Sequence, residues 1–283
     1  QGPVYLGCPM WANPAWAPFL FAKKSSPEEK LRAYAQVFNA VEGNTTFYAT
    51  PPVERLAIWD RETPDDFRFV FKISKSISHE PMCAHSGHLL RQFFEALRPL
   101  SHKWGPFFLQ LPPRFKDVDR LAYLADAVPS DVTLNVEFRN PKLFGPAGIT
   151  DMVSRKLGEW GWGLCCFDTQ PFFDTPESQN WLAIMERKPQ MPMDERGWGA
   201  APMVRYLGNP HYWKDQVGLN RLLKRSQTWT QAGKPVYLFF HHVDDDRLAP
   251  WVAQSFARIH SPAIWNALIQ LQTPETQLNL FGE

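Results

Sequence analysis

The sequence predicts an α/β fold of the TIM type, a single-domain (β/α)8 barrel over residues 1–270. A long loop insertion follows the sixth strand, and a flexible tail spans 271–283. Three observations predict it. Eight short apolar runs recur along the chain, each followed by polar residues and a helical pattern, which is the signature of βαβ units around a parallel sheet. Eight such units in about 250 residues suit a closed barrel. No G-x-G-x-x-G follows the first run, which takes support from the competing open, dinucleotide-binding sheet.

The elements follow in order. The first apolar run is residues 4–7, and the helix at 27–38 has Ser26 as N-cap and Pro27 at its first position. The second run, 37–41, leads into Glu42-Gly43-Asn44 and a helix at 53–62 with Leu56 and Trp59 on one face. The third, 67–71, ends at Lys72; the following helix, 87–100, carries Leu90, Phe94 and Leu97 at helical spacing. The fourth run, 107–111, stops at Pro112-Pro113 before a helix at 118–127, and the fifth, 134–138, ends in Arg139-Asn140-Pro141 before a helix at 150–160. The sixth, 163–167, ends at Asp168. The stretch 169–202 behind it, rich in Pro, Met and Trp, is long enough to be an insertion or lid. Runs at 203–207 and 236–240 complete the set, with helices at 219–232 and 250–259.

Composition narrows the function classes. Of 283 residues, 30 are Lys or Arg and 29 Asp or Glu, a formal net charge of +1, so no global field draws the protein to DNA or anionic lipid. The longest apolar runs fall far short of the roughly 18 residues of a membrane span. The four cysteines, Cys8, Cys83, Cys165 and Cys166, form no C-x-x-C pair and suit reduced thiols. Neighbours on a strand, Cys165 and Cys166 are expected to face opposite ways. No charged region and apolar stretch precede Leu6-Gly7-Cys8, and a cytoplasmic location is the expectation.

Several blocks match a known family in order and spacing. They are Gly7-Cys8-Pro9-x-Trp11, Phe38-Asn39-x-Val41-Glu42-Gly43-Asn44-Thr45-Thr46-Phe47-Tyr48, Phe69-x-Phe71-Lys72, Leu109-Gln110-Leu111-Pro112-Pro113 and Val136-Glu137-Phe138-Arg139-Asn140-Pro141. The chain resembles the YecE-like family, domain of unknown function 72, to about residue 260. The resemblance implies a TIM-type barrel and no established activity. Cys8-Pro9 stands where many members have Thr-Ser, and Gly43 where a branched residue is more common.

Barrel enzymes place reactive groups at the C-terminal ends of their strands. Here those ends hold Glu42 with Asn44, Lys72, Gln110, Glu137 with Arg139, Asp168, Arg205, and His241 beside His242. Residues two apart share a face, so Glu137 and Arg139 point together while Phe138 packs outward. Glu137, Arg139, Glu42 and Lys72 are the candidate catalytic residues, Glu137 serving as general base if burial or crowding raises its pKa. Asn44, Gln110, Asp168, Arg205, His241, Trp11 and Tyr48 are the candidate substrate contacts; Trp16, Phe47 and Trp198 are further aromatic candidates for stacking. A purely structural ion-pair network is the competing reading. No cofactor is identified. A divalent metal held by Glu42, Glu137, Asp168, His79 and one of the adjacent His241 and His242 is conceivable but lacks closely spaced ligands. His85 and His88 read as solvated helix residues.

The end of the chain carries a separate signal. Gln277-Leu278-Asn279-Leu280-Phe281 resembles the Gln-Leu-(Ser/Asp)-Leu-Phe peptide that docks on the bacterial DNA sliding clamp. Gln277, Leu278, Leu280 and Phe281 are the expected contacts, and a tail folded back on the barrel is the alternative. The leading expectation is an enzyme of DNA metabolism or repair, acting on a phosphate-containing or nucleotide substrate at the barrel mouth. The rivals are a small-molecule isomerase or hydrolase and a non-catalytic clamp-binding adaptor.

Overall fold

The computed structural model describes residues 1–260 except 18, 81, 176–189 and 244–245. Residues 176–189 of the expected insertion at 169–202, the expected boundary at 270 and the tail contacts Gln277, Leu278, Leu280 and Phe281 lie outside the described residues.

Ten strands are described: β1 (Val4–Gly7), β2 (Ala40–Gly43), β3 (Arg68–Phe71), β4 (Phe107–Gln110), β5 (Leu134–Glu137), β6 (Phe144–Gly145), β7 (Gly148–Ile149), β8 (Gly163–Asp168), β9 (Met203–Leu207) and β10 (Val236–His241). Six form a parallel sheet in the order β1-β10-β9-β8-β5-β4, β2 and β3 pair parallel, and β6 and β7 make a small antiparallel pair. This is an α/β fold built on parallel sheet. The eight expected strands are the eight parallel ones, but the expected continuous ladder around them is interrupted twice. Between β3 and β4 there are isolated bridges, Phe69 with Trp104 and Lys72 with Phe108. Between β1 and β2 a single backbone bond, from Glu42 N to Cys8 O at 3.1 Å, stands in for a ladder.

Side chains occupy the β1–β2 gap. The Tyr34 hydroxyl accepts from Cys8 N at 2.7 Å and donates to Ala40 O at 2.9 Å, bridging the two strands. Asn39 does the same lower down, accepting from Leu6 N at 2.7 Å and donating to Val4 O at 3.0 Å. Gly7 permits this approach, because a Cβ there would lie 2.1 Å from Ala40 O. The expected second strand therefore starts three residues late: the Val37 and Phe38 amides still bond to Tyr34 O at 3.0 Å, closing the preceding helix.

Strand parity divides the interior. Outward residues such as Val41, Phe69, Leu109, Val136, Val204 and Leu238 join the main core with the helices. The alternate residues Ala40, Val70, Phe108, Cys165, Met203 and Phe239 form a second cluster between the strands. Strands buried on both faces read as continuous apolar runs, which is why they stand out in the sequence. Among the helices, Pro27–Ala35 begins as expected, with Glu29 N donating to Ser26 Oγ and Ser26 N to Glu29 Oε2, a closed capping box. The expected helix at 118–127 is instead a 3-10 turn, Val118–Leu121, followed by one short turn, Ala122–Ala125.

Candidate functional site

The second cluster of side chains ends, toward the C-terminal ends of the strands, in a layer of charge. Arg205 on β9 is its centre. Its Nε donates to Glu42 Oε2 and its Nη2 to Glu42 Oε1, both at 2.8 Å, while Nη1 reaches Glu137 Oε2 at 2.9 Å and Gln110 Oε1 at 3.2 Å. Arg139 Nε closes on the other oxygen, Glu137 Oε1, and its Nη2 shares Gln110 Oε1 at 3.4 Å. Asn44 Nδ2 donates to Glu42 Oε1 at 2.7 Å, and His241 Nε2 lies 3.4 Å from Glu42 Oε2. Glu42 and Glu137 are fully buried.

The electrostatics follow from this pairing. Burial alone would raise both carboxyls, but nearby guanidinium charge outweighs it. Arg139 and Arg205 bring Glu137 down to about 2. Arg205 and His241 hold Glu42 well below the carboxylate range. The expectation that burial or crowding raises Glu137 into the range of a general base is therefore corrected: each of its oxygens accepts a charged donor, and the carboxylate stays ionised.

Lys72 is the exception in the layer. It is buried at the end of β3, its ammonium 4.1 Å from the centroid of the Phe47 ring. Among the described residues no carboxylate or hydrogen-bond acceptor pairs with its Nζ. Burial, and then the charge of Arg205, lower it from 10.5 to about 8. Thr46 Oγ1 fixes the backbone there, donating to Lys72 O at 2.7 Å and to Gly43 O at 2.9 Å.

A cavity of about 600 Å³ opens over this layer, lined by Met10, Trp11, Glu42, Asn44, Phe47, Tyr48, Lys72, Arg205, His241 and Asp246 among others. That volume is in the range of small-molecule sites. Tyr48 stands at its edge, 80% exposed, against the Phe47 ring.

Of the residues singled out from sequence, the fold gathers Glu42, Asn44, Lys72, Gln110, Glu137, Arg139, Arg205 and His241 at one end of the strands, with Trp11 and Tyr48 on the cavity wall. Asp168 is not among them. Its carboxylate pairs with Arg225 Nη2 of helix Gln216–Gln231 and accepts from Gln170 N, on the outer face of β8. Parity explains the difference, since Cys165 and Phe167 take the inner face; Cys166 turns outward to Asp194 O at 3.5 Å. Phe167 is one residue that sequence reasoning missed: the Arg139 guanidinium lies 3.9 Å and that of Arg205 5.6 Å from its ring centroid. The i, i+2 rule pairs Phe167 with Cys165 and Asp168 with Cys166, but which pair faces inward is set by register. Asp246, near His241 Nδ1 at 3.5 Å, was also missed.

Other candidates go elsewhere. Trp16 is core, its Nε1 donating to the carbonyls of Asp246 and Arg247, and Trp198 donates to Asp194. His242 turns away from the cavity to Pro210 O, as adjacent strand residues must. His85 and His88 are exposed on helix Ala84–Leu97. Among the described residues no group of three or more His, Cys, Asp and Glu is arranged to hold a metal ion.

Residues 5–277 match the family described as protein of unknown function DUF72. The chain belongs to this family. It is 30% identical over 268 residues to the UPF0759 protein YecE of Escherichia coli (strain K12), covering 94% of this chain and 92% of that one. It is 27% identical over 257 residues to the UPF0759 protein YunF of Bacillus subtilis (strain 168), covering 84% and 88%. Two solved DUF72 structures share the fold. One from Thermotoga maritima MSB8 superposes with a TM-score of 0.70 at 19% identity, covering 91% of this chain and 98% of that chain. One from Enterococcus faecalis V583 gives 0.68 at 20%, covering 96% and 98%. No described helix of this DUF72 chain is long and apolar enough to cross a membrane.

Proposed function

We propose that the eight parallel strands close as a (β/α)8 barrel and that the cavity at their C-terminal ends is the active site of an enzyme acting on a small carboxylated or phosphorylated molecule. Closure is supported by the inner cluster, which brings Ala40 and Val70 of the β2–β3 pair against residues of the six-stranded sheet. The observation that carries the functional reading is Lys72, an ammonium facing the cavity whose Nζ makes no ion pair or hydrogen bond among the described residues, the charges of Glu137 and Glu42 acting on it only from beyond contact. Glu42 and Glu137 neutralise Arg205 and Arg139, so an entering anion meets Lys72 as the site's available cation.

With its pKa near 8, Lys72 exchanges a proton near neutral pH. This suits an isomerase, which moves a proton beside a carbonyl, or a hydrolase, which protonates a leaving group. Glu42, Glu137 and Gln110 hold the Arg205 guanidinium in place, a fixed and charge-balanced floor beneath the ligand. Calorimetric titration with a panel of small carboxylates and phosphate monoesters tests the reading. Binding is expected to vanish in Lys72→Met and to survive in Lys72→Arg; equal binding by Lys72→Met would sink it.

A second reading rests on the tail. Gln277, Leu278, Leu280 and Phe281 would recruit the protein to DNA through the bacterial sliding clamp, placing the same cavity in DNA metabolism with a nucleotide or phosphodiester substrate. A protein of net charge +1 gains little affinity for DNA from counterion release and would need such recruitment. Were the cavity inert, the tail alone would make the chain a clamp-bound adaptor.

A further inference from the structure

Asn44 Oδ1, Trp104 Nε1, Asn135 Oδ1 and Arg225 Nε are the side-chain polar atoms that the described residues cover without giving a hydrogen-bond partner. Lys72 Nζ also makes no hydrogen bond, yet it is not a covered atom, and Lys72 lines the cavity. Its amine is therefore open to a ligand, although the residue as a whole is only 9% exposed. The layer beneath it is already balanced, since Arg205 pairs with Glu42 and Glu137, and Arg139 with Glu137. Two carboxylates match two guanidinium groups, so a proton on Lys72 puts a surplus positive charge in a buried place. Burial and the nearby Arg205 bring the amine down to about 8, with Arg139 acting in the same sense and Glu137 and Glu42 against it. A lysine desolvated beside another cation is one whose amine serves as a nucleophile. Near pH 8 about half of such side chains hold a free lone pair, against roughly one in three hundred for an ordinary lysine.

We infer that Lys72 is the nucleophile of this cavity and that its substrate is a small aldehyde or ketone with an anionic group beside the carbonyl, the class of 2-oxo acids, taken up as an imine on Nζ. The inference rests on the reading of the cavity as an active site that draws an anion to Lys72. In the step, the ammonium gives up one proton and the Nζ lone pair adds to the carbonyl carbon. The carbonyl oxygen then leaves as water, carrying two of the hydrogens that the ammonium held. One C=N bond replaces one C=O bond, and the iminium, with its remaining N–H, keeps the positive charge. That retention is why the anion belongs next to the carbonyl: a carboxylate one carbon away lies against the same charge before and after the imine forms. The Phe47 ring, centred 4.1 Å from Nζ, suits an iminium as it suits an ammonium. The iminium draws electrons from the neighbouring carbon and eases loss of a proton there, which is the step an isomerase needs.

The decisive test uses the unaltered full chain. It is incubated near pH 8 with glyoxylate, pyruvate or 2-oxoglutarate, reduced with sodium cyanoborohydride, and mapped by peptide mass spectrometry. The reagent delivers hydride to the imine carbon and fixes the adduct as a secondary amine. At least one of these acids is expected to label Lys72 at least about tenfold faster than any other lysine. Labelling of Lys72 no faster than of the surface lysines overturns the inference. Titration calorimetry of the same acids separates the two readings. If an oxo acid binds and Lys72→Met weakens it, but no label appears on Lys72, the inference fails and the anion-binding reading stands. If none of the acids binds at millimolar concentration and none labels Lys72, both readings fall together.

Discussion

Arg205 grips Glu42 with two parallel hydrogen bonds of 2.8 Å, across 163 residues of sequence. The fork geometry of a guanidinium matches a carboxylate in this way, and lysine in its place would supply one point of charge. Because the third nitrogen of Arg205 reaches Glu137, a single side chain ties β2, β5 and β9 together at the floor of the cavity. The layer is thus both scaffold and field, and mutations in it have separable effects on stability and binding.

Removing Arg205 leaves two buried carboxylates without their main counter-charge. Arg205→Met is expected to lower the unfolding free energy by about 3–5 kcal/mol, the cost of breaking a buried pair from one side. Urea unfolding followed by tryptophan fluorescence measures it; a change below about 1 kcal/mol would show the pairing to be energetically idle.

The folded pKa of Glu137 lies near 2, below the ordinary value of 4.5. A carboxyl lowered by folding stabilises the protein above its unfolded pKa, and the contribution is lost as pH falls through the folded one. Stability should therefore decline between about pH 5 and 2, with roughly 3 kcal/mol of the loss traceable to Glu137. Urea midpoints measured down this range should fall less steeply for Glu137→Gln, from a lower starting point.

Lys72 is shifted in the same direction, but its charged form costs stability where that of Glu137 adds it. Its folded pKa of about 8 lies below the ordinary 10.5, so the unfolded chain binds the proton more tightly, and stability rises as pH climbs from 8 toward 10.5. Lys72→Met removes the cost of the buried charge and is expected to stabilise the protein at pH 7 by roughly 1–3 kcal/mol while ending anion binding. A destabilised Lys72→Met would mean that the ammonium holds the fold together.

Asp168 and Arg225 make their pair on the outer face of β8. Asp168→Asn is expected to cost about 2–4 kcal/mol of stability and to leave ligand affinity unchanged. A large loss of affinity at unaltered stability would return Asp168 to the site.

A synthetic peptide of residues 273–283 is expected to bind purified bacterial sliding clamp at micromolar affinity, about −8 kcal/mol. Replacing Leu280 and Phe281 by Ala should remove most of it, since those side chains carry the buried apolar area. Titration calorimetry without heat, and without competition against a known clamp peptide, would dismiss the motif.

Local pattern was enough for the order and class of the elements. Ser26-Pro27 capped its helix as expected, and strands such as Val4–Gly7 and Met203–Leu207 fall where their apolar runs lie, because strands covered on both faces leave no polar gap in the pattern. It also determined that Glu137 and Arg139 share a side, a consequence of the two-residue period alone. Tertiary structure decided the rest. That Glu42 meets Arg205 depends on strands β2 and β9 being brought together at one end of the molecule, which local periodicity does not encode. Whether a strand's last residue or the one before it faces inward is a question of register, and so Phe167 replaced Asp168. Protonation was decided there too. Burial raises a carboxyl and a guanidinium partner lowers it, and the partners of Glu137 are apparent only once the chain has folded.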